Sequence, residues 1–311
     1  MTNIETEERK ISRVVGDIFL AMRPEQWSKN LIVLAAFFFA YFDKTRTNPL
    51  EWSEFAFVVI PACLLFCLIS SGIYILNDIM DIDADRQHPT KRNRPIAAGR
   101  IPVNMAWLMS LNYLIGGLIG AFAISTAFAL CVCVYVALQL AYIMFIKRIA
   151  LADIMVIAVG FVIRAIAGAM VLAGIMISPW LLVCTFLLAL FLASCKRRQE
   201  KVLIAMDNSG TRASLEQYDV KLLDQIITIT AASTVVSYAI YTLSEQTIVK
   251  FDTHNLALTI PFVVFGIFRY LDLVYRQKEG ERPERVLYTD LTMLFNIILY
   301  CATAAIVLKY S

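Results

Sequence analysis

The segment Asn77-Asp78-Ile79-Met80-Asp81-Ile82-Asp83-Ala84-Asp85 carries four carboxylates within nine residues. On a continuous helix Asp78, Asp81 and Asp85 fall at i, i+3 and i+7 and share one face, with Asn77 beside Asp81 at i+4. Asp83 points the other way. Carboxylates gathered on one face repel each other unless a cation sits between them, and an acidic helix end that is merely solvated gains nothing from the arrangement. Hard oxygen donors in such an array suit Mg²⁺, which is typically held by one or two carboxylates together with phosphate oxygens of a substrate.

The residues that follow, HPTKRNRPIAAGR, place His88, Lys91, Arg92, Arg94 and Arg100 next to those acids. Acids followed at once by bases are what a metal–diphosphate complex requires: the carboxylates hold the metal, and the cations meet the oxygens that the metal leaves free. Further cationic candidates are Lys29 in RPEQWSKN, Lys147 with nearby Tyr142, and Lys196 and Arg197 in KRRQEK. Arg164 stands apart, in the middle of the apolar run IMVIAVGFVIRAIAGAM, where an arginine costs about 2.5–3.5 kcal/mol on insertion scales. Asp153, eleven residues earlier, falls on nearly the same helical face, so the pair is expected to line a polar cavity. Arg269 and Asp272 are expected to snorkel or to pair locally, and Asp290 to cap a helix. Ser214 and Gln217 have the spacing of a capping box.

Of the 311 residues, 59% are hydrophobic and only 17% charged, too few charges to cover a water-soluble surface. The apolar residues fall into nine blocks long enough to cross a bilayer as helices, near 26–42, 54–76, 103–124, 126–146, 154–175, 178–195, 224–245, 255–275 and 290–308. Between them, 77–102 and 196–223 are the longest polar connections. Counted over alternate connections, 22 of the 28 lysines and arginines lie on the N-terminal side and 4 on the other. That asymmetry puts the N-terminus and the long loops in the cytoplasm and the C-terminus outside.

Residues 1–25 form a cytoplasmic segment. In it Ile11, Val14, Val15, Ile18, Phe19 and Met22 make one apolar stripe, expected as an interfacial helix ending near Arg23-Pro24. Residues 26–311 form a single transmembrane domain. Gly116 and Gly120 have a spacing suited to close helix packing. The seven cysteines lie in or beside apolar blocks without the histidines of a metal site, and a net charge of +3 is too small and dispersed for nucleic-acid binding.

With these residues the chain resembles the UbiA-type intramembrane prenyltransferase superfamily, whose first aspartate-rich motif, NDxxDxxxD, is matched by Asn77, Asp78, Asp81 and Asp85. RPEQWSKN (23–30), the 77–99 run, LQLAYIMFIK (138–147), IRAIAG (163–168) and KRRQE (196–200) resemble the branch that transfers phosphoribosyl groups to decaprenyl-type phosphates. The superfamily's second acidic motif, DxxxD after the sixth helix, is absent; KRRQE stands in its place. The resemblance implies an all-α membrane protein of nine transmembrane helices around a polar cavity facing the cytoplasm. It implies transfer of a 5-phosphoribosyl group from phosphoribosyl diphosphate to a polyprenyl phosphate lipid, with Mg²⁺, in the cytoplasmic membrane. Self-association into a homo-oligomer is compatible with such a bundle. On this reading Asp78, Asp81 and Asp85 hold the metal, Asn77 fixes their geometry, and Lys91, Arg92 and Arg94 bind donor phosphates. Lys29, Tyr142, Lys147, Arg164, Lys196 and Arg197 are further substrate contacts. The alternative within the superfamily, a prenyl diphosphate donor with an aromatic or quinone-like acceptor, fits less well without the second acidic motif. A transporter with Arg164 on its substrate would leave the acid cluster unexplained.

Overall fold

The structure, a computed structural model, describes residues 13–88, 90–172, 174–175, 177–207, 217–276 and 289–310. Among the described residues every regular element is helical. Helix α1 (residues 13–22) stops where Arg23 takes a left-handed conformation, φ 53°, directly before Pro24. Pro24 disfavours the α conformation in the residue before it, so this helix ends where the sequence predicts. Ile11 and Ser214 lie outside the described residues.

Among the described residues eight helices are long and apolar enough to cross a membrane: α3 (Trp52–Met80), α5 (Val103–Ile124), α6 (Thr126–Met144), α7 (Ala152–Met170), α8 (Pro179–Asp207), α9 (Val220–Leu243), α11 (Ile260–Arg276, entered through a 3₁₀ turn at Asn255–Thr259) and α12 (Leu291–Lys309). The first expected span, 26–42, is composite: a 3₁₀ helix, Pro24–Leu31, runs into α2 (Ile32–Tyr41), which has only ten residues. The 3₁₀ rise of about 2.0 Å per residue makes the composite about 30 Å long, close to the thickness of a hydrocarbon core. Short helices α4 (Ile82–Gln87) and α10 (Glu245–Phe251) lie between the long ones.

Large apolar side chains cover the outside. Phe57, Ile119, Ile229, Phe268, Leu291 and Phe295 are each more than 60% exposed, a surface suited to lipid and not to water. The inside holds one core of α2, α3, α6 and α7, built around Val33, Phe37, Phe66, Phe128 and Tyr135. A second core joins α8, α9, α11 and α12 around Phe191, Ile227 and Tyr270. The packing of α7 on α8 connects the two.

Two glycine contacts correct the sequence expectation. Gly116 faces open space, whereas a Cβ on Gly117 would lie 2.3 Å from Ile69 Cγ1 and one on Gly120 2.6 Å from Leu65 Cδ2. The pair that seats α5 on α3 is therefore Gly117 with Gly120, because a spacing of three, like one of four, stays on one helix face. In α7, Gly168 lies so close to α2 that a Cβ would stand 2.3 Å from the Val33 carbonyl oxygen.

Cross-connections separate the two ends of the bundle. At one end Asp43 pairs with Lys250, and Arg46 donates to the Gly174 carbonyl. At the other, Arg100 meets Asp17, Lys147 meets Asp81, and Gln217 bonds to the 148–150 turn. The acid cluster and the basic connections share this second end.

Candidate active site

Helix α3 carries Asn77 and Asp78 to its last turn, and α4 carries Asp83 and Asp85. The helix is not continuous: Asp81 closes α3 with φ −103° and ψ 10°, although its backbone still links Asn77 to Asp85 through bonds of 3.0 and 2.8 Å. The break divides the acids. Asp78 and Asp85 are buried, with side chains 3% and 6% exposed, while that of Asp81 is 29% exposed. Asp83, 88% exposed, points away as expected.

Arg94 joins the two buried acids. Its Nη1 donates to Asp78 Oδ1 at 3.1 Å and to Asp85 Oδ2 at 2.6 Å, so these oxygens are separated by no more than those two contacts laid end to end. The PIAAG turn beyond Arg94 holds it there: Ala98 N–H returns to the Arg94 carbonyl, and Gly99 takes φ 73°, a conformation that favours glycine. Arg23 also donates to Asp78 Oδ1, its guanidinium 5.3 Å above the Tyr74 ring. Lys147, buried at the turn after α6, places Nζ 2.5 Å from Asp81 Oδ1 and 3.4 Å from Asn77 Oδ1. Four separate chain segments thus bring three acids and three bases together. Arg23 lies in a patch visible in the sequence, but only the fold brings its side chain to Asp78.

The other basic-loop residues sit further out. Lys91 is half-buried and Arg92 exposed on a 3₁₀ turn, while Arg100 is directed to Asp17. Lys29 is half-buried on the Pro24–Leu31 helix.

Arg164 lies on α7 with 5% of its surface exposed. Its Nε donates to Asn30 Oδ1 at 2.8 Å, Nη1 to the Gly160 carbonyl at 3.0 Å and Nη2 to the Tyr135 hydroxyl at 2.6 Å. These partners are neutral. Among the described residues no carboxylate forms a salt bridge with it, so the ion pair that a buried arginine usually requires is not what holds it. Asn30, fully buried, also donates to Ser70 Oγ and so ties the 3₁₀ helix to α3.

Asp153 does not line a cavity with Arg164. It accepts from Arg197 Nε at 2.7 Å and from the Tyr218 hydroxyl at 2.5 Å. Burial, and then that donation to a carboxylate, push the Tyr218 phenol above the usual range. Arg197 also meets Glu200 at 2.6 Å and Tyr142 OH at 3.4 Å. The stretch Lys196–Lys201, expected in a loop, continues α8, because lysine, arginine, glutamine and glutamate are good helix formers. Arg198 pairs with Asp224, so the place of a second acidic motif holds guanidinium groups engaged by acids from other helices.

Among the described residues no three His, Cys, Asp or Glu side chains converge into a cation cage. Two carboxylates already sharing one cationic nitrogen nevertheless match the one or two that Mg²⁺ takes when phosphate oxygens and water complete its shell. The donor set therefore fits a metal bound together with a phosphate-bearing ligand.

Residues 31–298 match the UbiA prenyltransferase family. Curated relatives include decaprenyl-phosphate phosphoribosyltransferase of Mycolicibacterium smegmatis, 35% identical over 96% of this chain and 94% of that protein. Another, of the same description, from Corynebacterium glutamicum is 37% identical over 92% of this chain and 85% of that one. Among solved structures, a UbiA homolog from Archaeoglobus fulgidus bound to DMAPP and Mg²⁺ superimposes with a TM-score of 0.68 at 18% identity, covering 94% of this chain and 99% of that one. The match spans the spanning helices and the acid cluster alike, and by it the chain belongs to the UbiA prenyltransferase family.

Proposed function

We propose that this protein transfers the 5-phosphoribosyl group of 5-phosphoribosyl 1-diphosphate to a polyprenyl phosphate, with release of diphosphate, at the cytoplasmic face of a cell membrane. The relatives named for this activity support it over nearly the whole chain. The observation that carries the reading is the meeting of Asp78, Asp81 and Asp85 with Arg23, Arg94 and Lys147 at the end of the bundle that holds most of the basic residues. Both substrates are anions, and such a site can present them with cations on several sides.

In this reading Asp78 and Asp85, with Asp81 beside them, hold Mg²⁺, which when bound neutralises charge on the diphosphate. Arg94, Lys91 and Arg92 meet donor phosphates. Lys29, Arg164 and Lys196 are the candidates for the lipid phosphate or the donor's 5-phosphate. Arg197, engaged by two carboxylates and a phenol, positions α7 against α8 and is not given a substrate contact. An oxygen of the lipid phosphate forms the new bond to the anomeric carbon while the bond to the diphosphate breaks and its electron pair leaves with that group. The attacking phosphate is already ionised near neutral pH, so no side chain has to remove a proton. Fixed charges and positioning supply the acceleration.

The test is direct. Purified protein supplied with Mg²⁺, labelled phosphoribosyl diphosphate and polyprenyl phosphate is expected to produce labelled lipid. Folded protein that makes none with any of several lipid chain lengths overturns the proposal.

A further inference from the structure

The three acids and three bases of the site balance in formal charge before any ligand arrives, and the balance is local. Arg94 Nη1 occupies the space between Asp78 and Asp85, 3.1 and 2.6 Å from the two oxygens, and Arg23 sits on the same Asp78 oxygen. Lys147 pairs with Asp81. A divalent ion coordinated by Asp78 and Asp85 approaches each oxygen to about 2.1 Å and needs the space that this nitrogen fills. Metal and guanidinium cannot both hold these two oxygens. A dication added to a neutral, largely buried cluster also leaves two uncompensated charges, which is costly at low dielectric. The negative charge of a diphosphate removes that cost, and it offers the displaced guanidinium a new bidentate acceptor.

We propose that Arg94 is an exchangeable internal cation: it holds Asp78 and Asp85 in the absence of ligand, competes with the divalent metal for them, and passes to the diphosphate when both arrive. Metal and diphosphate therefore bind as a coupled pair, each weak alone. The proposal rests on the reading that a metal–diphosphate binds here and goes beyond it in giving Arg94 opposite effects on its two parts. Arg94 opposes the metal and favours the diphosphate, whereas a cation that only bound phosphate would leave metal affinity unchanged. The exposure of Arg94, 27% against 3% and 6% for its two acids, leaves it a route away from them that the acids lack.

The experiment uses full-length protein in lipid nanodiscs, with Mn²⁺ as a spectroscopically visible substitute for Mg²⁺ and inorganic diphosphate as the second ligand. In the unaltered protein, diphosphate is expected to tighten Mn²⁺ binding by about tenfold or more, within the usual range of coupling between sites. Arg94→Gln is expected to bind Mn²⁺ alone about tenfold more tightly than the unaltered protein, and to lose most of the tightening by diphosphate. Arg23→Gln, which keeps the bridge and removes only the second cation on Asp78, is expected to tighten Mn²⁺ by a smaller factor, and it serves if Arg94→Gln does not fold. Mn²⁺ affinity no higher than that of the unaltered protein in whichever of these variants folds overturns the proposal, and so does a diphosphate effect that survives Arg94→Gln unchanged. Neither measurement contains phosphoribosyl diphosphate or polyprenyl phosphate, so failure here is distinct from failure of the labelled-lipid assay.

Discussion

Arg197 on α8 donates through Nε to Asp153 Oδ2 on α7 at 2.7 Å, and the two side chains are 3% and 0% exposed. The pair joins the helix that carries Arg164 to the helix that carries Lys196. It also holds Tyr218, whose hydroxyl accepts from the backbone of Leu151, a non-glycine residue with φ 66°.

Breaking that pair from one side is expected to be costly. Asp153→Ala leaves a buried guanidinium with fewer acids and should destabilise the protein by about 3–5 kcal/mol. Asp153→Leu combined with Arg197→Met should recover most of the loss, since replacing both charges with apolar groups removes the desolvation cost on both sides. Thermal melts in detergent check this; a double variant no more stable than the single one refutes it.

The two acids of α4 should differ sharply. Asp85, 6% exposed and bound to Arg94, is expected to lose at least about a hundredfold in turnover as Asn, a size typical for loss of a charge group used in the transition state. Asp83, 88% exposed, should stay within about twofold as Asn, as surface changes do. Parallel rates of lipid labelling decide the matter, and equal losses would remove the distinction drawn between the acids.

Arg164→Leu should insert at least as well as the unaltered protein, because it removes an insertion cost of about 2.5–3.5 kcal/mol. No described carboxylate loses an ion-pair partner, so the melting temperature should fall modestly, by the loss of bonds to Asn30, Gly160 and Tyr135. Turnover should nevertheless drop by about tenfold or more if the guanidinium meets a substrate anion, the scale of a lost charged contact. Turnover near that of the unaltered protein would assign Arg164 to packing alone.

Gly168→Ala should destabilise by about 1–3 kcal/mol, because the obstacle to the new methyl is the Val33 backbone and not a flexible side chain. Gly116→Ala, with open space around it, should be neutral or slightly stabilising through helix propensity. Melting temperatures of the two variants measured side by side test this pair, and a neutral Gly168→Ala would contradict the close approach of α2 and α7.

Asp290 caps α12 by accepting from the Met293 N–H at 2.8 Å, and it pairs with Arg269 at 2.6 Å. Hydrogen bonding from Arg269, reinforced by the cap, holds its carboxyl below the ordinary aspartate value. A lowered folded pKa contributes stability that is complete above the unfolded value of about 3.9 and is lost as pH falls through the folded one. Stability should therefore decline below about pH 4, and Asp290→Asn, which keeps a capping side chain but loses the ion pair with Arg269, should flatten that part of the profile at a cost of no more than about 1 kcal/mol at neutral pH. Melting curves between pH 3 and pH 7 would show it, and an unchanged slope in the variant would exclude Asp290 as the source.

The spans were legible because nearly every one is a run of apolar residues bounded by charge, and lipid demands such runs. The acid cluster was legible because four aspartates lie within eight positions of one another. The role of Arg197 was not. As sequence it is one of several lysines and arginines beside a span, and the acid that engages it lies 44 residues away. The boundary of α8 was missed for a related reason, since charged residues that mark a loop by composition are also good helix formers.

The sequence by itself determined a polytopic helical membrane protein with an acid motif and basic loops at one end. Those features follow from local composition and from periodicity, which act over a few turns of chain. The tertiary structure decided how the charges pair. Arg94 bridges Asp78 and Asp85, Lys147 meets Asp81, Arg197 meets Asp153, and Arg164 is held by neutral dipoles. Charges interact through space with little regard to chain order, and in a low dielectric each must find its partner within a few ångströms. Which partner that is depends on the packing that brings α3, α6, α7 and α8 together.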